Sequence, residues 1–111
     1  MSLKLTVSLD LDPTGRYLLH LVDWDDAIAA IFEERELQGG GYTWEGIVQA
    51  LIEMRMPEAL DDLDIGAEAD NMYAYSSDRD LLERVADLMR EAAADHALLI
   101  AAIEHAGDDL E

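Results

Sequence analysis

Three observations predict an α+β fold: a two-layer structure in which a four-stranded, mostly antiparallel sheet packs with four helices in the order ββααββαα. Two segments with strand-like patterning are each followed by two stretches of helical periodicity. Turn-forming residues, rather than long crossovers, separate the strands of each pair, which favours antiparallel hairpins. No Pro/Gly-rich or low-complexity stretch divides the 111 residues, so the chain reads as a single domain, 1–111.

Residues 3–9 place Leu3, Leu5, Val7 and Leu9 on one side and Lys4, Thr6 and Ser8 on the other, the pattern of a half-buried strand. Pro13 and Gly15 then mark a turn. Residues 16–22 return, with Tyr17, Leu19 and Leu21 on one side. Leu18 and Val22 make the other side apolar too, so this strand is expected to be covered on both faces. Asp23 or Asp25 can cap a first helix over 25–36, with Ala27, Ile28, Ile31 and Phe32 as its apolar stripe. A glycine run, Gly39 to Gly41, leads to a second helix with Thr43 as its N-cap and Glu45 in its first turn. Trp44, Ile47, Val48, Leu51 and Ile52 form its buried stripe, and Pro57 follows its end. Residues 60–76 read as a second hairpin, turning at "GAEADN" and returning through "MYAYS". A third helix spans 78–94, with Leu81, Leu82, Val85, Leu88, Met89 and Ala92 at helical spacing. Asp95 caps a last helix that runs to Ala106 and stops at Gly107. Being apolar almost all round, that helix must pack on two sides or lie in a subunit contact.

Charge narrows the function classes. The chain carries 26 acidic and 7 basic residues, formally −19. The excess is uneven, −6 over residues 1–55 and −13 over residues 56–111. Such a surface repels nucleic acid and anionic lipid, which need a positive footprint, and attracts a basic partner. Solubility or a saline surrounding would produce the same bias. There is no cysteine, hence no disulfide or thiolate chemistry. The opening "MSLKLTVSL" has the alternation of a strand and lacks the apolar block of a signal peptide, which points to the cytoplasm. The longest apolar run near the end, "ALLIAAI", falls far short of the ~18 residues of a membrane span.

Few residues arrange themselves for chemistry. A phosphate-cradling loop needs Lys and Ser or Thr directly after its last glycine, following a strand. Here a helix precedes, Tyr42 and Thr43 follow, and Glu36 and Glu45 flank the loop. Backbone freedom explains the run better: Gly39 can end a helix with positive φ and Gly41 allows a close chain approach. "DLDPTG" imitates the front of a calcium loop, but Leu21 stands where the bidentate Glu is required. "DWDD", with His20 upstream, could hold a divalent metal, although acids at a helix start already complement the dipole. His96 and His105 lie too far apart for a ligand pair and should mark an exposed helix edge. No nucleophile elbow or zinc-protease signature is present, and among 26 carboxylates the sequence selects no acid–base pair. No catalytic residue, metal or cofactor is therefore assigned. The aromatics Tyr42, Trp44, Tyr73 and Tyr75 are informative: Trp44 falls on a core stripe, while Tyr42 and Tyr75 sit at element ends where aromatics can supply contact area to a protein partner.

Two blocks also carry a family likeness. "GGGYTWEGIVQALI" resembles the Gly-x-Gly-Tyr-x-Trp-Glu stretch of the bacterial immunity protein 51 family, and "MYAYSSDRDLLERVADLM" resembles its later tyrosine-Ser-x-Asp segment, in the same order and spacing. The resemblance spans roughly residues 25–95. It implies a small α+β protein, made beside a polymorphic toxin, that binds and neutralises the toxin inside the producing cell without being an enzyme. It marks Gly39, Gly41, Tyr42, Trp44 and Glu45 in the first block and Tyr75, Ser77 and Asp78 in the second as candidate partner-binding or family-motif positions. The acidity would suit a basic toxin, a nuclease being one such target. The glycine turn and the end of the fourth strand are expected to lie close together, exposing Tyr42 and Tyr75 near acidic groups. The alternative is an acidic interaction module with no toxin partner, possible as a homodimer through the last helix.

Overall fold

The computed structural model describes residues 3–9, 16–37, 39–69 and 71–107. The order is β1 (Leu3–Leu9), β2 (Tyr17–Trp24), α1 (Asp26–Glu34), α2 (Gly41–Arg55), a 3-10 helix (Pro57–Asp62), β3 (Asp64–Glu68), β4 (Asn71–Ser76), α3 (Arg79–Ala94) and α4 (His96–Ala106). It is an α+β fold with an antiparallel sheet, ordered β1-β2-β4-β3, so the inner strands of two hairpins pair with each other. The "DLDPTG" turn lies outside the described residues.

Side chains on the two central strands divide cleanly. Leu19 and Leu21 of β2 face Ala74 and Met72 of β4 across the ladder, and all four are fully buried. Helices α2 and α3 cover this side: α3 packs on β1, β2 and β4, and α2 on β3 and β4. Trp44, Ile47, Val48, Leu51 and Ile52 of α2 are all buried, as are the six apolar positions of α3. Burial of each such side chain contributes roughly 1.5–3 kcal/mol against leaving it in water, so the helix-facing core carries the stability.

The other side of the sheet departs from the sequence reading. On it β2 and β4 pair Leu18 with Tyr75 and His20 with Tyr73. These four are half-buried, and among the described residues they belong to no part of the helix-facing core. Among the described residues, helices thus cover strand β2 on one face only. The apolar outer residues do not signal a second helical layer.

Several boundaries also move for local reasons. Asp25, not Asp23, caps α1, accepting the Ile28 N–H at 3.1 Å. Helix α2 begins at Gly41 with Gly40 as its N-cap, so Thr43 is the third helical residue and Glu45 falls beyond the first turn. Residues 60–62 belong to the 3-10 helix that Pro57 starts, since proline suits a first helical position and the preceding α-helix has just ended. Gly66 lies within β3, not in the hairpin turn. Asp78 caps α3 and Asp95 caps α4, while Gly107 ends α4 at φ +58. His105 is exposed and pairs with Glu53 at 3.1 Å, but His96 is only half-exposed and its Nε2 is buried. Helix α4 packs on both α2 and α3, burying Leu98, Leu99, Ala102 and Ile103, so its apolar character is used within the chain.

Candidate functional site

The glycine run is a packing device at one end of the sheet. A Cβ at Gly40 would come within 2.3 Å of the Ala69 carbonyl oxygen. At Gly41 it would lie 2.0 Å from the Asn71 oxygen and 2.1 Å from that of Glu68. The obstacles are backbone atoms, which cannot rotate aside, so the start of α2 can rest on the β3–β4 connection only without side chains. The Gly41 N–H donates to Ala69 O at 2.9 Å and fixes the contact. Gly39, at φ +77, turns the chain into this position, and its N–H donates to the buried Thr43 hydroxyl at 3.1 Å. Thr43 therefore ties the loop from inside the helix, instead of capping it from outside.

Trp44 is fully buried between Trp24, with ring centroids 5.8 Å apart, and Phe32 at 5.7 Å. How Trp24 reaches this cluster is instructive. In register, Leu5 faces Leu21 but Lys4 faces Asp23, leaving Val22 as an extra residue of β2. This bulge breaks the two-residue alternation, so Trp24 takes the core side while both Val22 and Asp23 are left exposed. A regular strand would have put Asp23 into the core and Trp24 outside.

The bulge and the glycine turn enclose a cleft of about 420 Å³, lined by Val22, Asp23, Trp24, Gly40, Tyr42 and Thr43 among others. Val22 and Tyr42 are 46% and 47% exposed, and they are the large hydrophobic residues classed as exposed among those described. Both sit on this cleft. Glu45 is half-buried beside Tyr42 in a smaller depression that also includes Glu53 and His105.

The second sequence block lies elsewhere. Gly41 meets Asn71, the first residue of β4, whereas Tyr75 is four residues further along, about 13 Å at ~3.3 Å per residue. Tyr42 and Tyr75 lie toward opposite ends of β4, and their expected proximity is corrected. Tyr75 is half-buried, with its ring 5.7 Å from that of Tyr73 and the Arg16 guanidinium 4.8 Å over it. Arg16 also pairs with Asp64 on the edge strand. Ser77 is exposed, and Asp78 accepts the Leu81 N–H at 3.2 Å as a helix cap while its own N–H donates to Ser76 Oγ at 3.1 Å. Asp61, Asp62 and Asp64 line a hollow of about 260 Å³ with Arg16, Tyr75 and Ser77.

A family model, described as immunity protein 51, matches residues 7–108. The chain belongs to the immunity protein 51 family. No curated protein and no solved structure matches it. For this immunity protein the motif glycines and Trp44 are explained by packing, and Asp78 by capping. Tyr42, Glu45, Tyr75 and Ser77 retain surface that a partner could reach.

The metal reading of "DWDD" finds other work for its residues. Asp25 caps α1, Asp23 accepts the Trp24 N–H at 2.9 Å, and His20 meets Asn71 Oδ1 at 3.2 Å on the far side of the sheet. Among the described residues no three His, Asp or Glu side chains gather in a metal-binding group. No described helix is long and apolar enough to cross a membrane. Sequence reasoning missed the Val22–Asp23 bulge. Its signal was present in "LHLVDW", where an apolar residue on the outer side is followed by an aspartate on the inner one.

Proposed function

We propose that this immunity protein neutralises a cognate toxin by binding it, in the cytoplasm of the cell that makes both, with the bulge–glycine cleft as an anchor site. The observation that carries the reading is the pairing of Val22 and Tyr42 on one cleft. Two exposed apolar side chains from separate elements converge there beside the exposed Asp23. Interfaces concentrate their energy in such pockets, and tyrosine is favoured in them.

The formal charge of −19 supports a basic partner. A basic toxin would be drawn in by long-range attraction, which raises the association rate more than the final affinity. A lysine or arginine from that toxin could lay its aliphatic stem on Val22, its cation over the Tyr42 ring and its charge against Asp23. A nuclease is one toxin class whose phosphate-binding face has this charge. Neutralisation by occupancy needs no chemistry from the immunity protein.

The test uses the toxin domain encoded beside this chain. Equimolar immunity protein is expected to abolish toxin activity and to co-purify with it. A toxin that stays fully active in a one-to-one mixture would contradict the reading.

A further inference from the structure

The cleft is too small to hold a toxin by itself, since a stable interface needs about 800 Å² from each partner. The structure shows where further area lies. Val22, left exposed by the bulge, follows Leu18 and His20 along the outer side of β2, and Tyr75 and Tyr73 of β4 stand opposite Leu18 and His20. We infer that the toxin docks across this open sheet face, from the Tyr42 cleft at one end to Tyr75 at the other. The inference rests on the neutralisation reading and names the surface that performs it.

Three features support it. First, the face is built as an aromatic shelf. A side chain at Gly66 would come within 2.7 Å of the Tyr73 ring, so glycine on β3 lets that ring lie across the strand. Tyr73 packs edge-on with Tyr75, and Arg16 lies over the Tyr75 ring. Second, the face adds contact area. Six residues of β4 run about 20 Å, and strands about 4.8 Å apart give the face a breadth near 15 Å. That is roughly 300 Å² beyond the cleft, over a third of what one partner of a stable interface contributes. Third, the charge fits a basic partner. The β3 side of the shelf carries exposed Asp61, Asp62, Asp64 and Glu68, and the one cation described there, Arg16, is already paired with Asp64. A second copy of this chain would bring its own formal −19 to the same face, which opposes self-association.

The experiment measures affinity of the neighbouring toxin domain for the full chain by calorimetry or interferometry. Tyr73→Ala with Tyr75→Ala is expected to weaken binding at least tenfold. Asp61→Lys with Asp62→Lys, both exposed and outside the core, is expected to slow association about tenfold and flatten its dependence on salt. Circular dichroism confirms that each variant is folded, and the charge reversal tests the face should the tyrosine pair not fold. Wild-type affinity and association rate in folded variants would overturn this inference while leaving neutralisation standing. Absence of binding by the unmodified chain would overturn both. Sedimentation showing a dimer that Tyr75→Ala dissociates would assign the face to a second copy and overturn the inference as well.

Discussion

Strand β4 presents two different surfaces from one six-residue run. Toward the helices it sends Met72, Ala74 and Ser76, all buried in a core of Leu, Ile, Val, Met and Ala. Toward the other side it sends Asn71, Tyr73 and Tyr75, half-buried, touching His20, Gly66 and Arg16. The inner side is small and closely covered, as stability requires. The outer side is large, aromatic and uncovered by any described helix. The comparison separates residues that keep the protein folded from residues that can meet a partner, and it divides the family-motif positions between those two roles.

The predictions follow that division, beginning with the largest change in stability. Trp44→Ala removes the centre of the Trp24–Phe32 cluster and is expected to cost about 3–5 kcal/mol in denaturant unfolding. A loss under about 1 kcal/mol would mean that Trp44 is a contact residue after all. Gly41→Ala drives a methyl group into two carbonyl oxygens and is expected to cost about 3 kcal/mol, again read by urea midpoint. Neutralisation should then fail only as far as folding fails. Asp78→Ala deletes a cap and is expected to cost about 1 kcal/mol, with toxin affinity unchanged within twofold. A tenfold loss of affinity in folded protein would move Asp78 from the structural group to the contact group. Tyr42→Ala alters an exposed side chain and is expected to shift stability by no more than about 0.5 kcal/mol. The same variant should bind toxin at least tenfold more weakly, which would be the sharpest separation of the two roles.

Much of the inner side was legible in the sequence. The stripe Leu81, Leu82, Val85, Leu88, Met89 and Ala92 is buried throughout, and so is the stripe of α2 from Trp44 to Ile52. Hydrophobic spacing reports burial directly, because the same periodicity that makes the pattern makes the face. Gly41 was legible for a similar reason, since a glycine run before a helix implies either turning or close approach. What could not be read was long-range. The N-cap moved from Thr43 to Gly40 because Ala69, remote in sequence, takes the Gly41 N–H. The bulge at Val22 is fixed by the register with β1, so the inward aspartate of a regular strand hints at an irregularity without placing it. The site suffered most, because Tyr42 and Tyr75 are related only through the direction in which β4 runs. Gly66 shows the same limit: its neighbourhood suggests a turn, whereas in mid-strand it leaves room for the ring of its ladder partner Tyr73.

Hydroxyl-radical footprinting of the immunity protein, alone and saturated with its toxin domain, tests the central claim most directly. The account predicts that Tyr42, Tyr73 and Tyr75 lose reactivity together in the complex, while Met54 on α2 reacts as in the free protein. Protection on the α3–α4 side with all three tyrosines unchanged would contradict it.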